Sequence, residues 1–174
     1  MKINNIDVEK VSQFIEEVKR DPSKAKESKK ITGHWNFEAG KPQFESKLEF
    51  SSSSEVIYSD QAPFRGGNGI RPDPIQYCLF GLAACYAATF VSIATMEGVD
   101  LKELKVAADN QVDLSQSLGL SKNPIVERVK LTVEARTDGA ENKLKEIEVM
   151  AKDRCPGVFC LSNPIPLETE VKKI

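Results

Sequence analysis

From Pro74 to Met96 the chain reads PIQYCLFGLAACYAATFVSIATM and carries no charge. As a helix rising 1.5 Å per residue, about 24 residues cover about 36 Å, enough to cross a bilayer. The ends of the run predict a helix with defined limits. Asp73 stands at the N-cap, Pro74 at the first helical position and Gln76 three residues past the cap, which is a capping-box arrangement. Gly98 is placed to stop the helix in a left-handed cap. Against a membrane span stand Gln76, Tyr77, Thr89, Ser92 and Thr95, the many alanines and glycines, and flanks without a Lys/Arg cluster. A helix apolar on every side is otherwise a central helix covered all round. Gly81, Ala83, Ala84, Ala87 and Ala88 would let a second helix approach closely, and a second copy of the chain is the natural cover. The expectation is a core helix in a homodimer, with no membrane partner.

Around this helix the pattern is mixed. Ile6, Val11, Phe14, Ile15 and Val18 fall at helical spacing, with Asp7 as a candidate cap. DPSKAKESKK follows as a solvated linker. ITGHWNFE and QFESKLEF flank AGKP as a predicted hairpin, and EVIYSD is a candidate third strand. Ala62–Pro74 is rich in Gly and Pro and must be a loop; its RGGNG lacks the lysine and spacing of a phosphate-binding loop. Beyond the long helix, LKELKVAADNQVDL and IVERVKLTVEAR read as strands, with Val129, Leu131 and Val133 on the inner face. TDGAENKLKEIEVMAKDRCPG reads as a helix capped by Asp138 and Glu141 and broken by Pro156. Leu144, Ile147, Ala151 and Cys155 share one face of it, and IPLETEV is a last short strand. This order predicts an α+β fold with antiparallel sheet.

A chain of 174 residues with a net charge of −2 suits one domain or a pair of subdomains and offers no basic field for nucleic acid. Met1–Arg20 has acidic residues throughout and no apolar segment, unlike a secretory signal, so a cytoplasmic setting with reduced thiols is expected.

The four cysteines, Cys78, Cys85, Cys155 and Cys160, admit three readings. They are buried small hydrophobes, or zinc ligands, or a nucleophile with a resolving partner. The spacings fit structural zinc sites poorly and His34 is the only histidine, so no metal is expected. Cys78 and Cys85 lie about two turns apart on one helix face, too far to bridge, whereas Cys155 and Cys160 are separated only by PGVF.

PIQYCLFGLAACYAATF followed by AKDRCPGVF resembles the OsmC/Ohr family of osmotically inducible and organic hydroperoxide resistance proteins. Pro74 precedes Cys85 at the family's spacing, AAC leads into the thiol, and a Cys-Pro closes the second long helix. The resemblance covers roughly Lys30 to Ile174, so residues 1–29 are expected as an added N-terminal helix and linker, and 30–174 as the OsmC-like domain. It implies two long helices packed on antiparallel sheets in an intertwined homodimer. It also implies that Cys85 is a peroxidatic thiol reducing organic hydroperoxides to alcohols through a sulfenic acid, and Cys155 the thiol that resolves it as a disulfide. No bound cofactor is implied, only an external lipoyl dithiol or small-thiol reductant. The family peroxidases place a glutamate after the motif proline and an arginine on the first hairpin; here stand Ile75 and, in GHWNF, His34 and Trp35. Thiolate formation would then need another cation, with Arg71 and Arg65 as candidates and Arg154 as a third; a peroxidatic Cys85 is expected to ionise below the ordinary thiol value. Tyr77 and Cys78 are candidates to line the pocket, and Cys160 is a candidate alternative resolving thiol. The other function in view is a dimeric small-ligand-binding or thiol-redox protein of the same fold that does not turn over peroxide.

Overall fold

A computed structural model describes residues 1–173. The fold is α+β, with antiparallel sheets and two long helices, as the pattern predicts. In order, the elements are β1 (Lys2–Ile3), β2 (Ile6–Asp7), α1 (Val8–Arg20), β3 (Gly33–Trp35), β4 (Phe44–Phe50), β5 (Ser53–Ser59), α2 (Pro74–Met96), β6 (Leu101–Val112), β7 (Val126–Thr137), α3 (Glu141–Arg154) and α4 (Pro156–Ser162). The chain divides into two compact units, Met1–Val8 with everything from Gly81 onward, and Glu9–Phe80.

The first unit holds the hydrophobic core. β6 and β7 form one long antiparallel pair in which Val106 faces Val133 and Ala108 faces Leu131. Tyr86, Phe90, Ile93 and Ala94 of α2, Val99, and Ile147, Ala151 and Cys155 on one face of α3 make a single buried cluster. Leu101, Leu104, Val106, Leu131 and Val133 pack against it from the sheet. Leu131 and Val133 therefore face inward as expected. Val129, in the same alternation, remains 36% exposed.

Both ends of α2 form as the sequence predicts. Asp73 Oδ1 accepts from Ile75 N, while Gln76 Oε1 reaches back to Asp73 N at 2.9 Å. At the other end Gly98 takes φ +71°, and the bonds Val99 N to Ala94 O and Gly98 N to Thr95 O satisfy the last carbonyls. Among the described residues α2 is the one helix long and apolar enough to cross a membrane, yet its last turns belong to the core.

Three local expectations fail. The N-terminal helix begins at Val8 rather than Ile6, because Asn4 and Asn5, at φ +53° and +61°, close the small hairpin β1–β2 ahead of it. The Asn4 side chain bonds Thr95 Oγ1, Val99 O and Leu101 N, which ties this hairpin to the end of α2. α3 carries no side-chain cap from Asp138: its N-cap is Ala140, and Gly139 N bonds Thr137 Oγ1 instead. Pro156 ends α3 as expected, and it also starts α4, since a proline at the first helical position costs no hydrogen bond. IPLETEV pairs with no strand among the described residues and is not regular structure.

The second unit is the three-stranded antiparallel sheet β3-β4-β5 with α1 and the Gly-rich loop. Asp60 is buried and its Oδ2 accepts from Asn68 N and Ile70 N, which folds the loop back on the strand end. Gly67 is required there, because a Cβ would run into the Gln61 carbonyl.

Candidate active site at the paired thiols

Cys85 sits midway along α2 and is half-buried, and Cys155 caps the end of α3 and is completely buried. Pro156 ends α3 at this point, so the chain turns straight into α4 with Cys155 held at the junction. The two sulfurs lie 3.7 Å apart in S–H···S contact, and both thiols are free. A disulfide is about 2.05 Å long, so closing one would need only a small approach of the two sulfurs. Of the four cysteines, these two are brought together.

Gly157 completes the site. A Cβ at that position would lie 3.4 Å from Cys85 Cβ and 3.6 Å from its sulfur, ordinary contact distances that place Gly157 against the thiol. Burial is the largest influence on Cys85 and pushes its thiol above the ordinary value. The Gly157 N–H opposes this by bonding the thiolate, while Cys155 and the charge of Cys160 add to the rise. Within the single chain, desolvation and the one backbone donor act on Cys85 in opposite directions, with desolvation the larger. Gly157 was not among the sequence candidates; the only signal was its place after Cys-Pro.

Beside the pair, Leu82, Tyr86, Leu131, Val129, Val158 and Leu161 line most of a cavity of about 620 Å³, with Lys130, Lys152 and Glu148 at its polar side. Neither Cys85 nor Cys155 lines this cavity; Leu82, Tyr86 and Val158 belong to the same helices, α2 and α4, that meet at the thiol pair.

The other candidates belong to α4 and to the sheet unit. Cys160 is exposed on α4 in the same unit. In the sheet unit, Arg65 pairs with Asp73 at 3.4 Å, and Arg71 lies over the Tyr58 ring at 5.7 Å while donating to Ile70 O. Tyr77 Oη donates to Tyr58 O at 2.7 Å, and Cys78 is exposed. His34 Nε2 stands 3.4 Å from Glu45, and His34, Trp35, Tyr58 and Arg71 line a cavity of about 770 Å³. Among the described residues, no group of three His, Cys, Asp or Glu side chains is arranged to hold a metal.

No curated protein matches the chain. Solved structures do. An OsmC-like protein from Mycoplasma pneumoniae is 19% identical, with 78% of this chain and 87% of that one covered and a TM-score of 0.56. The organic hydroperoxide resistance protein OsmC from Legionella pneumophila is 18% identical, with 79% and 92% covered and a TM-score of 0.52. The organic hydroperoxide resistance protein OhrB of Bacillus subtilis is 17% identical, with 78% and 91% covered and a TM-score of 0.50. At these identities the likeness is one of fold. The model of the family described as OsmC-like protein matches residues 66–170, well over half of the sequence and both paired cysteines, and the chain belongs to that family.

Proposed function

We propose that the protein is a thiol-dependent peroxidase that reduces organic hydroperoxides to alcohols, with Cys85 as nucleophile and Cys155 as resolving thiol. The observation that carries this reading is the 3.7 Å contact between two free thiols, one half-buried and one wholly buried. The Cys85 thiolate attacks the terminal peroxide oxygen, the O–O bond breaks, and the departing alkoxide takes a proton to leave as alcohol. Cys85 is then a sulfenic acid. Cys155 sulfur attacks it, water leaves with the sulfenic oxygen, and the disulfide forms. An external dithiol of the lipoyl type, or a small thiol, returns both sulfurs to the reduced state. The neighbours named for hydroperoxide resistance in Legionella pneumophila and Bacillus subtilis agree with a peroxide-related role.

Because burial holds the Cys85 thiol up, the thiolate must be favoured by more than the Gly157 N–H. Arg71 and Arg65 are assigned this role here, in place of the family's hairpin arginine and the glutamate that orients it; Ile75 follows the motif proline, and the hairpin segment GHWNF offers His34 and Trp35 but no arginine. Tyr77 and Cys78, in the first turn of α2, are assigned to the substrate pocket. The working form is a homodimer in the cytosol. Its support is the uncovered apolar surface of a single chain: Phe80 of α2 is 69% exposed, and Trp35, Phe44 and Phe50 of the sheet unit are exposed as well. Residues 1–29 are an addition to the OsmC-like domain of 30–174.

The raised Cys85 thiol favours a second reading, a thiol-redox or small-ligand-binding member of the same fold without peroxide turnover. One assay separates them. Cumene hydroperoxide consumption is followed with dihydrolipoamide as reductant for wild type, Cys85→Ser and Cys155→Ser. The peroxidase reading predicts turnover by wild type and loss of at least about a hundredfold in Cys85→Ser. Wild-type consumption no faster than that of Cys85→Ser would leave the second reading.

A further inference from the structure

Gly157, the second residue of α4, lies against Cys85, and neither its backbone nor its packing asks for a glycine. Its φ lies outside the positive range taken by Gly40, Gly66 and Gly98, so the backbone suits a residue with a side chain. A Cβ there would meet Leu82 Cδ1 at 3.3 Å, Cys85 Cβ at 3.4 Å and Cys85 Sγ at 3.6 Å, contacts that a small shift of the Leu82 side chain would ease. Gly67 is the opposite case, because its Cβ would run into the Gln61 backbone. Glycine in a helix is less stable than alanine, so stability does not explain Gly157 either. What it leaves is an atom-sized space between Leu82 and the Cys85 sulfur. An atom in that space would stand 3.6 Å from Sγ, close to the separation of about 3–3.5 Å at which reacting atoms are held before a bond forms. The wholly buried Cys155 closes another side of the sulfur at 3.7 Å, whereas Gly157 and Cys85 are both half-buried.

We infer that Gly157 is a specificity-determining residue: the side chain it lacks leaves room beside Cys85 Sγ for electrophiles with a branched group next to the reacting atoms, such as hydroperoxides of a tertiary carbon. For hydroperoxides this rests on the peroxidase reading above. For access to the thiol it stands on the contacts of Gly157 alone. A methyl group at position 157 takes up that room, and a branched side chain reaches further over the sulfur. Bulky electrophiles are then slowed more than small ones.

The test compares wild type, Gly157→Ala and Gly157→Val as full chains, with alkylation read on the Cys85 peptide by mass spectrometry. Iodoacetamide is the small reagent and monobromobimane the bulky one. Both need the same thiolate, so the ratio of their rates cancels any change in ionisation and reads access. The bulky-to-small ratio is expected to fall about threefold in Gly157→Ala and about tenfold in Gly157→Val. Gly157→Ala, whose Cβ the site accommodates, carries the test should the valine variant fail to fold. In parallel, consumption of cumene hydroperoxide and of hydrogen peroxide is measured with dihydrolipoamide, and the preference for cumene hydroperoxide is expected to fall in the same order. An unchanged alkylation ratio in the variants that fold would overturn the inference, and so would wild-type turnover whose cumene preference survives in them. A falling alkylation ratio with neither peroxide consumed by wild type would uphold Gly157 as the control on access to Cys85 while ending the peroxidase reading.

Discussion

Among the described residues, every buried apolar side chain belongs to the unit that contains Gly81 onward, from Leu82 and Phe90 to Ile147 and Cys155. The sheet unit Glu9–Phe80 buries Ser46, Ser59 and Asp60 instead, each bonded to backbone within that unit: Ser46 Oγ to Thr32 O, Ser59 Oγ to Pro72 O, and Asp60 Oδ2 from two loop amides. Its aromatic residues Trp35, Phe37, Phe44, Phe50 and Phe64 stay exposed. One unit is thus held by hydrophobic packing, which is non-directional and strong per residue. The other is held by strand pairing and a buried polar loop. That uncovered aromatic surface is what the proposed second copy would cover.

The contrast can be broken at several points. Phe90 is 2% exposed in the core, so Phe90→Ala should cost about 3–5 kcal/mol in urea unfolding. Phe37→Ala, at a side chain 92% exposed, should stay within about 0.5 kcal/mol by the same method. Equal losses at the two sites would erase the distinction between the units. Asp60→Ala should cost about 2 kcal/mol, because Asn68 N and Ile70 N would lose a charged acceptor inside the loop; an effect below about 0.5 kcal/mol would show that the polar loop is not what holds the sheet unit. Trp35→Ser should raise the dimer dissociation constant about tenfold in sedimentation equilibrium. A wild-type chain that remains monomeric at high micromolar concentration would remove the second copy altogether.

The smallest effect concerns protons. Burial raises the Cys85 thiol, so its alkylation by iodoacetamide, read on the Cys85 peptide, should reach half its maximal rate above the ordinary thiol value. The sign for stability follows. The unfolded chain loses this proton first, so the contribution of Cys85 is full below the ordinary thiol value and falls as pH rises from there through the folded value. A half-maximal pH below the ordinary value would mean that a cation such as Arg71 or Arg65 already acts on the thiol in the assembled protein.

What could be read from the residues beforehand was local or repetitive. The Asp73–Gln76 box and the Gly98 cap each depend on a few neighbouring side chains, and both form. The pairing of β6 with β7 follows from alternation, and the Cys85–Cys155 contact was expected only through the family resemblance. The misses share a cause, which is dependence on distant partners. Asn4–Asn5 carries a turn signal, but the hairpin is anchored by Thr95, Val99 and Leu101, far along the chain. IPLETEV alternates like a strand and finds no partner among the described residues. Gly157 is invisible as a site residue because its contribution is a missing side chain and a backbone N–H.

The most direct measurement is the intact mass of the reduced protein after one equivalent of cumene hydroperoxide, with Cys85→Ser alongside. A loss of about 2 Da in wild type, mapped to a disulfide that contains Cys85 and absent from the variant, is the predicted result. Four free thiols and an unchanged mass in wild type would contradict it, leaving the paired sulfurs without peroxidase chemistry.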